Sequence, residues 1–165
     1  MKKLTLLALV LTAGLSAQTN EAVRHQLAML PYFGVFDDLS YSVNGGEVTL
    51  TGSVVRPTLK SDAENVVRRV AGVNHVINNI EVLPVSMFDD RTRLALARAV
   101  YGDSVLGTRY GLGSQPAIHI VVKNGNARLE GVVLNEMDRT IAGMRANGVP
   151  GVFSLENDLR LEAGR

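Results

Sequence analysis

Cysteine and tryptophan are both absent from the 165-residue chain, and only eight residues are aromatic. Without cysteine there is no disulfide, no thiolate ligand for zinc and no thiol nucleophile. The residue that carries the lipid of bacterial lipoproteins is also missing. Because 46% of the residues are hydrophobic and 20% are charged, the chain can still bury a core through side-chain packing alone.

A long apolar run is found only at the start of the chain. Leu4–Leu11 follows Lys2 and Lys3 and precedes Leu15-Ser16-Ala17, which ends in a small residue. This order is typical of an export signal, and the run is shorter than the roughly 20 residues of a transmembrane helix. An amphipathic first helix is excluded because the run has no polar face. The sequence predicts a cleaved signal peptide over residues 1–17 and an exported, soluble protein without a transmembrane span.

An excess of charge of one sign is also missing. Cleavage after Ala17 would remove two lysines and no acidic residue, which leaves 15 basic and 16 acidic residues and a net charge of −1. Because non-specific nucleic-acid binding depends on dense positive charge, nucleic acid is not an expected partner.

Patterns that support catalysis or metal binding are absent too. His25, His75 and His119 are scattered and lack the His-Glu-x-x-His spacing of a zinc site. No Gly-x-Ser-x-Gly elbow supplies a serine nucleophile. We expect a non-enzymatic protein with no catalytic residue, no metal and no cofactor, in which the histidines are structural or surface residues.

The sequence contains an internal repeat with an offset of 79 residues. Residues 43–82 align with residues 122–161 without a gap, and ten of the 40 positions are identical. They are mainly turn glycines and apolar residues with core periodicity, which a duplicated structural unit must keep. The expected motif positions are Gly46, Leu50, Gly52, Gly72 and Val73 in the first copy, and Gly125, Leu129, Gly131, Gly151 and Val152 in the second.

Each copy has the pattern of a hairpin followed by a helix. Alternating residues flank Asn44-Gly45-Gly46 in the first copy and Asn124-Gly125 in the second, which predicts tight turns with positive φ angles. The apolar period then changes to that of a helix, and a last strand is expected over Val76–Val82 in the first copy. Further helices are expected ahead of the hairpins, over about Glu21–Leu30 and about Asp90–Tyr101.

The predicted fold class is α+β, with two tandem small units. Each unit has the order helix-strand-strand-helix-strand, with two helices packed on one face of a three-stranded mixed sheet. The predicted boundaries are 18–83 for the first unit, 84–90 for a short linker and 91–163 for the second unit.

The repeated pattern resembles the BON domain, the bacterial OsmY and nodulation domain, in a tandem arrangement. The resemblance rests on GGEVTLTGSV and AENVVRRVAGVNHVINNIEV in the first copy, and on NGNARLEGVV and AGMRANGVPGVFSLENDLRL in the second. It implies a non-catalytic module similar to periplasmic OsmY-like proteins, which are associated with phospholipid binding, envelope integrity, osmotic stress and chaperone-like activity. The second copy departs from the pattern at GLGSQPA, residues 111–117, and at Gly148-Val149-Pro150.

Arginines mark the helix that opens the second copy. Arg91 and Arg98 share a helical edge, Arg93 lies on the same helix and Arg109 follows it. Guanidinium groups beside apolar side chains such as Tyr101 are suited to anionic lipid headgroups. The alternative is a solvated edge on a helix that packs on its sheet.

Met137, Ile141 and Met144 form a second apolar stripe on the helix expected over about Glu136–Gly148. The stripe lies about 120° from the expected core face, given the helical 100° per residue. It predicts contact with the other unit or with a protein partner, because methionine adapts well to such surfaces. The alternative is a one-position shift of the helix, which would leave a single core face.

Two acidic pairs and one aromatic segment have less specific interpretations. Asp37-Asp38 and Asp89-Asp90 could share acid/base work or bind calcium, but capping or solvation is favoured at these element starts. Pro31–Phe36 contains three aromatic residues, which favours core filling beneath the first helix, with a partner-binding loop as the alternative.

The function expected from the sequence is peripheral association with anionic phospholipid or other envelope components in the periplasm. The alternative is a chaperone or assembly factor that binds exported protein clients. The oligomeric state is left open.

Overall fold

Residues 17–111 and 116–162 are described by a computed structural model of the chain. Except for Ala17, the predicted signal peptide lies outside these residues. Their contacts define two compact units: residues 17–33, 39–52 and 56–82 form the first unit, and residues 34–38, 53–55, 83–111 and 116–162 form the second. Both units have helices packed on a mixed sheet, so the predicted α+β class is confirmed.

The helices and strands repeat in the same order in the two copies. The first copy contains α1 (residues 17–28), β1 (Asp38–Asn44), β2 (Glu47–Val54), α2 (Pro57–Arg68), β3 (His75–Asn78) and β4 (Glu81–Val82). The second contains α3 (Met87–Tyr101), α4 (Ser104–Tyr110), β5 (Ile118–Lys123), β6 (Asn126–Val133), α5 (Glu136–Asn147), β7 (Ser154–Asn157) and β8 (Arg160–Leu161).

Each sheet has four strands rather than the expected three. The orders are β1-β2-β3 and β5-β6-β7, and the short strands β4 and β8 pair with β2 and β6. The hairpin β5–β6 is antiparallel, whereas β7 and β8 run parallel to β6. The prediction of a single last strand over Val76–Val82 is therefore wrong. Asn78 breaks it into two, because its side-chain oxygen accepts a hydrogen bond from the Ile80 N–H at 3.2 Å.

The hairpin turns have the predicted left-handed backbone. The φ angles are 56° and 88° at Gly45 and Gly46, and 52° and 77° at Asn124 and Gly125. Positive φ at both central residues gives the turn a twist that matches the strands. The glycine and asparagine residues at these positions adopt it with little strain.

The repeated asparagine, Asn78 in the first copy and Asn157 in the second, joins strand to helix. The Asn78 side-chain N–H donates to the Lys60 carbonyl at 2.9 Å, and that of Asn157 donates to the Arg139 carbonyl at 2.9 Å. A helix carbonyl is thus satisfied from the sheet side in each unit. This contact explains the identity at that position of the repeat.

Helix α3 is the structural counterpart of α1. A Cβ on Gly72 would lie 2.6 Å from the hydroxyl oxygen of Thr19 in α1, and a Cβ on Gly151 would lie 3.1 Å from that of Thr92 in α3. The leading helices therefore correspond at an offset of 73 residues, not 79. The six extra residues lie between α3 and β5, where the second copy contains α4, a helix that the sequence did not predict.

The start of α3 differs from the prediction by three residues. The Ser86 hydroxyl accepts a hydrogen bond from the Asp89 N–H at 3.2 Å, so the helix begins at Met87 instead of about Asp90.

A separate apolar core fills each unit, as the periodicities predict. On α2 the buried residues are Leu59, Ala63 and Val67. On α5 they include Ala142 and Ala146. The second core contains Leu96, Val100, Leu106, Tyr110, Ile118, Ile120, Val122, Ala127, Leu129, Val133, Ala142, Ala146, Val149 and Leu159.

Candidate functional site

The outward face of α3 combines basic and apolar side chains. Met87, Arg91, Leu94 and Arg98 follow one another at helical spacing, and all four are exposed. Met87 is 73% exposed and Leu94 is 49% exposed, whereas the opposite face of the helix lies in the core. We call these four residues the α3 stripe. The structure thus places Arg91 and Arg98 on one accessible edge.

Arg93 does not belong to this surface. It is only 2% exposed; its guanidinium donates to the Val122 carbonyl at 2.6 Å and to the Asp90 carboxylate at 2.5 Å. The prediction that Arg93 contacts lipid is therefore wrong, because the side chain points into the unit and joins α3 to β5. Helical spacing alone predicts this inward position, since Arg93 lies about 200° from Arg91.

Tyr101 also has a structural role. Its hydroxyl donates to the Ile118 carbonyl and accepts from the Ile118 N–H at 3.3 Å, which joins the end of α3 to the start of β5. Burial raises the pKa of Tyr101 to about 12, although the hydrogen bond that its oxygen accepts from the Ile118 N–H lowers it. The ring is half-buried, so the predicted lipid contact receives no support from its geometry.

Arg109 belongs to a polar cluster between α4 and α5. Its guanidinium donates to both oxygens of Asp138 at 2.7 Å, and the Tyr110 hydroxyl donates to the same carboxylate at 2.6 Å. Asp138 is 1% exposed. Burial raises the pKa of Asp138, but the hydrogen bonds from Tyr110 and Arg109 outweigh this and hold the pKa below its usual value. Arg109 is thus committed to an ion pair.

An exposed aromatic pair lies beside the start of the α3 stripe. The rings of Phe88 and Phe153 stack with centroids 5.7 Å apart, and Phe153 packs over the turn at Gly125. Phe88 is 48% exposed and Phe153 is 74% exposed. In the first copy Phe153 corresponds to Asn74, whose side chain covers Gly46 in the same way. The replacement of asparagine by phenylalanine in the alignment was a signal that the sequence reasoning missed.

A depression of about 730 Å³ opens between the carboxyl-terminal halves of α3 and α5. We call it the α3–α5 cleft. Small residues, Arg98, Arg145 and Met144 line it. Its full lining is Ala95, Arg98, Ala99, Gly102, Asp103, Ser104, Met144, Arg145, Gly148, Val149 and Pro150. Two candidate residues from separate sequence patterns, Arg98 and Met144, thus meet at one site.

The methionine stripe lies on the surface of α5. Met137 is 72% exposed and Met144 is 64% exposed, whereas Ile141 is half-buried against the core. Ala142 is fully buried, so the core face keeps the predicted phase and the alternative of a shifted helix is excluded. Contact between this stripe and a partner stays a prediction.

The acidic pairs have structural partners. Asp37 accepts hydrogen bonds from the backbone N–H groups of Gly34 at 3.0 Å and Val55 at 2.8 Å. Asp89 is fully buried and accepts from the N–H groups of the β5–β6 turn, while the neighbouring Asp90 pairs with an arginine. Among residues 17–111 and 116–162, no cluster of three acidic, histidine or cysteine residues could hold a metal ion.

The aromatic segment 31–36 divides between surface and core. Tyr32 is 72% exposed, has a φ of 67° and lies under the Arg56 guanidinium, 4.8 Å from its ring centroid. Phe36 is half-buried against the core of the second unit. Phe36 therefore fills core space of the second unit, not the predicted place beneath the first helix, and Tyr32 lies at the surface.

Within the described parts of the chain, no helix is both long enough and apolar enough to span a membrane.

Comparisons with known proteins identify a family for this architecture. A comparison with curated proteins finds no significant match. Two solved structures of CdsD, a structural protein of the type III secretion system of Chlamydia trachomatis, are similar at 14% identity. For its C-terminal domain the TM-score is 0.36, with 87% of this chain and 96% of that chain covered; the other has a TM-score of 0.35 and coverages of 88% and 92%.

The model of the BON domain matches residues 16–84 and residues 107–163. Residues 85–106, which include α3, lie between the two matches, although the contacts of Thr92 make α3 the equivalent of α1. Since the matches together span well over half of the sequence and follow the structural repeat, the chain belongs to the BON domain family, in a tandem arrangement.

Proposed function

We propose that this protein is a non-enzymatic envelope module whose second unit binds peripherally to anionic phospholipid through the α3 stripe. The observation that carries the proposal is the exposure of Arg91 and Arg98 together with Met87 and Leu94. The BON domain is an envelope-associated, phospholipid-binding type of domain, which supports the same reading. The proposed location is the periplasm, after removal of residues 1–17.

The spacing of the stripe suits a lipid surface. Arg91 and Arg98 are seven residues apart, which corresponds to about 10 Å along the helix at 1.5 Å per residue. Two separate headgroups can therefore be contacted while Met87 and Leu94 enter the boundary between headgroups and acyl chains. The Phe88–Phe153 pair extends this apolar surface at the amino-terminal end of the stripe.

Neither arginine of the stripe is committed to a carboxylate. Within the described residues the guanidinium groups of Arg91 and Arg98 have no ion-pair partner, unlike those of Arg93 and Arg109. Each basic residue near an anionic bilayer contributes about 1 kcal/mol, so the pair contributes about 2 kcal/mol. This corresponds to about a 30-fold difference in affinity.

Cosedimentation with phospholipid vesicles tests the proposal. Residues 18–165 are mixed with phosphatidylglycerol-containing or pure phosphatidylcholine vesicles at low and moderate salt. The Arg91→Gln/Arg98→Gln variant should bind anionic vesicles about 30-fold more weakly, and salt should weaken wild-type binding. The matched control is Arg68→Gln/Arg69→Gln, which removes two exposed charges at the carboxyl-terminal end of α2, of which Arg68 pairs with Glu64, and should leave binding unchanged.

Two results would contradict the proposal. One is the absence of wild-type binding to anionic vesicles. The other is an equal loss of binding in the control variant, which would show that only the net charge matters and that α3 is not the binding surface.

Client binding as a chaperone or assembly factor is a second candidate function, and the apolar surface around α5 favours it. Leu134 is 55% exposed, and Met137 and Met144 are more exposed still. A Met137→Gln/Met144→Gln variant should then lose the ability to suppress aggregation of a denatured client protein, with little change in stability. Equal suppression by wild type and variant would rule out this surface.

A further inference from the structure

The α3–α5 cleft adjoins the α3 stripe, because Arg98 belongs to both. We infer that this cleft receives the phosphodiester headgroup of a single anionic phospholipid, with its acyl chains directed toward Met144 and the bilayer. The inference rests on the proposed lipid function and adds to it a site for one lipid molecule.

The size and lining of the cleft fit an amphiphile. A volume of about 730 Å³ lies within the usual range for small-molecule sites. The side of the cleft formed by α3 has small residues, Ala95, Ala99 and Gly102, and the opposite side has Gly148. The cleft is therefore not filled by large side chains at these positions. Because Arg98, Asp103, Ser104 and Arg145 line the cleft together with alanine, methionine, valine and proline, it can contact both a charged headgroup and the first acyl carbons.

The charges of the cleft select an anion. Arg145 donates to Asp103 through Nε at 3.0 Å and lies 2.9 Å from it through Nη2, which leaves its Nη1 donors for a ligand. The pKa of Asp103 is below its usual value, chiefly because it accepts from the Leu106 N–H and then from Arg145. The Asp103 carboxylate thus already has hydrogen-bond donors within the protein. Arg98 has no ion-pair partner in the described chain, so the cleft carries one uncompensated positive charge.

The first unit lacks this arrangement. With the helix offset of 73 residues, Arg98 corresponds to His25; with the repeat offset of 79, Arg145 corresponds to Val66. The two arginines that line the cleft are therefore a property of the second unit. A headgroup site is accordingly expected in the second unit alone.

Two variants change the cleft with little disturbance of the fold. Gly148 has a φ of −83°, and its nearest neighbours to an added Cβ are 3.9 Å away, so Gly148→Leu fits the backbone and fills the cleft. Arg145→Gln removes one of the two guanidinium groups. Asn147→Leu is the matched control, because it adds the same side chain at an exposed position that does not line the cleft.

The test follows amide chemical shifts of residues 18–165 during titration with dihexanoyl phosphatidylglycerol below its micelle concentration. Dihexanoyl phosphatidylcholine and glycerol 3-phosphate are titrated in parallel to separate the whole anionic lipid from a zwitterionic lipid and from free phosphate. We expect saturable shifts around the cleft with the anionic lipid. Gly148→Leu and Arg145→Gln should weaken this binding at least about 10-fold, and Asn147→Leu should not change it.

The outcomes separate this inference from the proposed function. No saturable binding by the wild type, or binding unchanged in both cleft variants, would overturn the cleft site even if vesicles are still bound through the stripe. Tighter binding of glycerol 3-phosphate than of the lipid would also overturn it. Cleft binding of the lipid without cosedimentation would instead support the site and contradict peripheral membrane association.

Discussion

Replacement of Asp89 by alanine should selectively destabilise the second unit. The carboxylate is fully buried at the start of α3 and accepts the N–H of Asn124 at 2.9 Å through one oxygen and that of Gly125 at 2.9 Å through the other. Both donors belong to the β5–β6 turn, where the left-handed backbone directs them toward the helix. Asp89 therefore joins the turn of the hairpin to the start of α3.

The cost follows from the two donors that lose their acceptor. A buried N–H left without a partner costs about 1 to 3 kcal/mol, so two at the lower-middle value of about 1.5 kcal/mol give about 3 kcal/mol. That is a large share of the about 5 to 15 kcal/mol that stabilises a typical domain. Asp89→Asn keeps one acceptor and should cost about half as much as Asp89→Ala.

Urea unfolding followed by circular dichroism measures this effect, since the chain contains no tryptophan. With a slope of about 2 kcal/mol per molar urea, Asp89→Ala should lower the midpoint of the affected transition by about 1.5 M. Asp158→Ala serves as the control, because Asp158 is an exposed carboxylate of the same unit. A shift for Asp89→Ala no larger than that for Asp158→Ala would refute the assigned role.

The remaining predictions concern tyrosine ionisation, a turn glycine and the buried carboxylate of α5. Absorbance titration should assign Tyr101 a pKa near 12. The contribution of the protonated Tyr101 side chain to stability should be lost as the pH rises from 10, the usual pKa of tyrosine, to about 12. A Tyr101→Phe variant with an unchanged titration curve would contradict this. Gly131→Ala should unfold the second unit or cost more than about 3 kcal/mol, because its Cβ would lie 2.1 Å from a carbonyl oxygen. Gly45→Ala has open space around the added Cβ and should cost only about 1 kcal/mol for its left-handed backbone. Similar melting temperatures of the two variants would refute the contrast. Asp138→Asn should be less stable than wild type at pH 7. The difference in stability should shrink as the pH falls below 3.8, because the interactions that lower the pKa of Asp138 stabilise only its ionised form. A stability difference independent of pH would exclude this linkage.

Local sequence patterns were sufficient for the repeated elements. The turn residues Gly45-Gly46 and Asn124-Gly125 favour the left-handed backbone by their own chemistry, so the hairpins could be predicted without knowledge of their surroundings. Helical periodicity likewise assigned Ala142 and Ala146 to the core and Met144 to a different face. Local patterns did not predict α4, because its burial of Leu106 depends on contact with distant parts of the second unit.

At the candidate site the sequence predicted the helix that carries the arginines but not the contacts that they make. Helical spacing separates Arg93 from the edge that Arg91 and Arg98 share, but only the tertiary structure supplies the Val122 carbonyl that accepts a hydrogen bond from its buried guanidinium.

By itself the sequence determined the family, the duplicated α+β unit and the helix that carries the basic residues, because these follow from backbone preferences and periodicity over short distances. Only the tertiary structure decided that Phe88 stacks on Phe153 and that Arg98 and Arg145 line one cleft. The residues of each pair are more than 40 positions apart, and neither local propensity nor periodicity specifies contacts made through the fold.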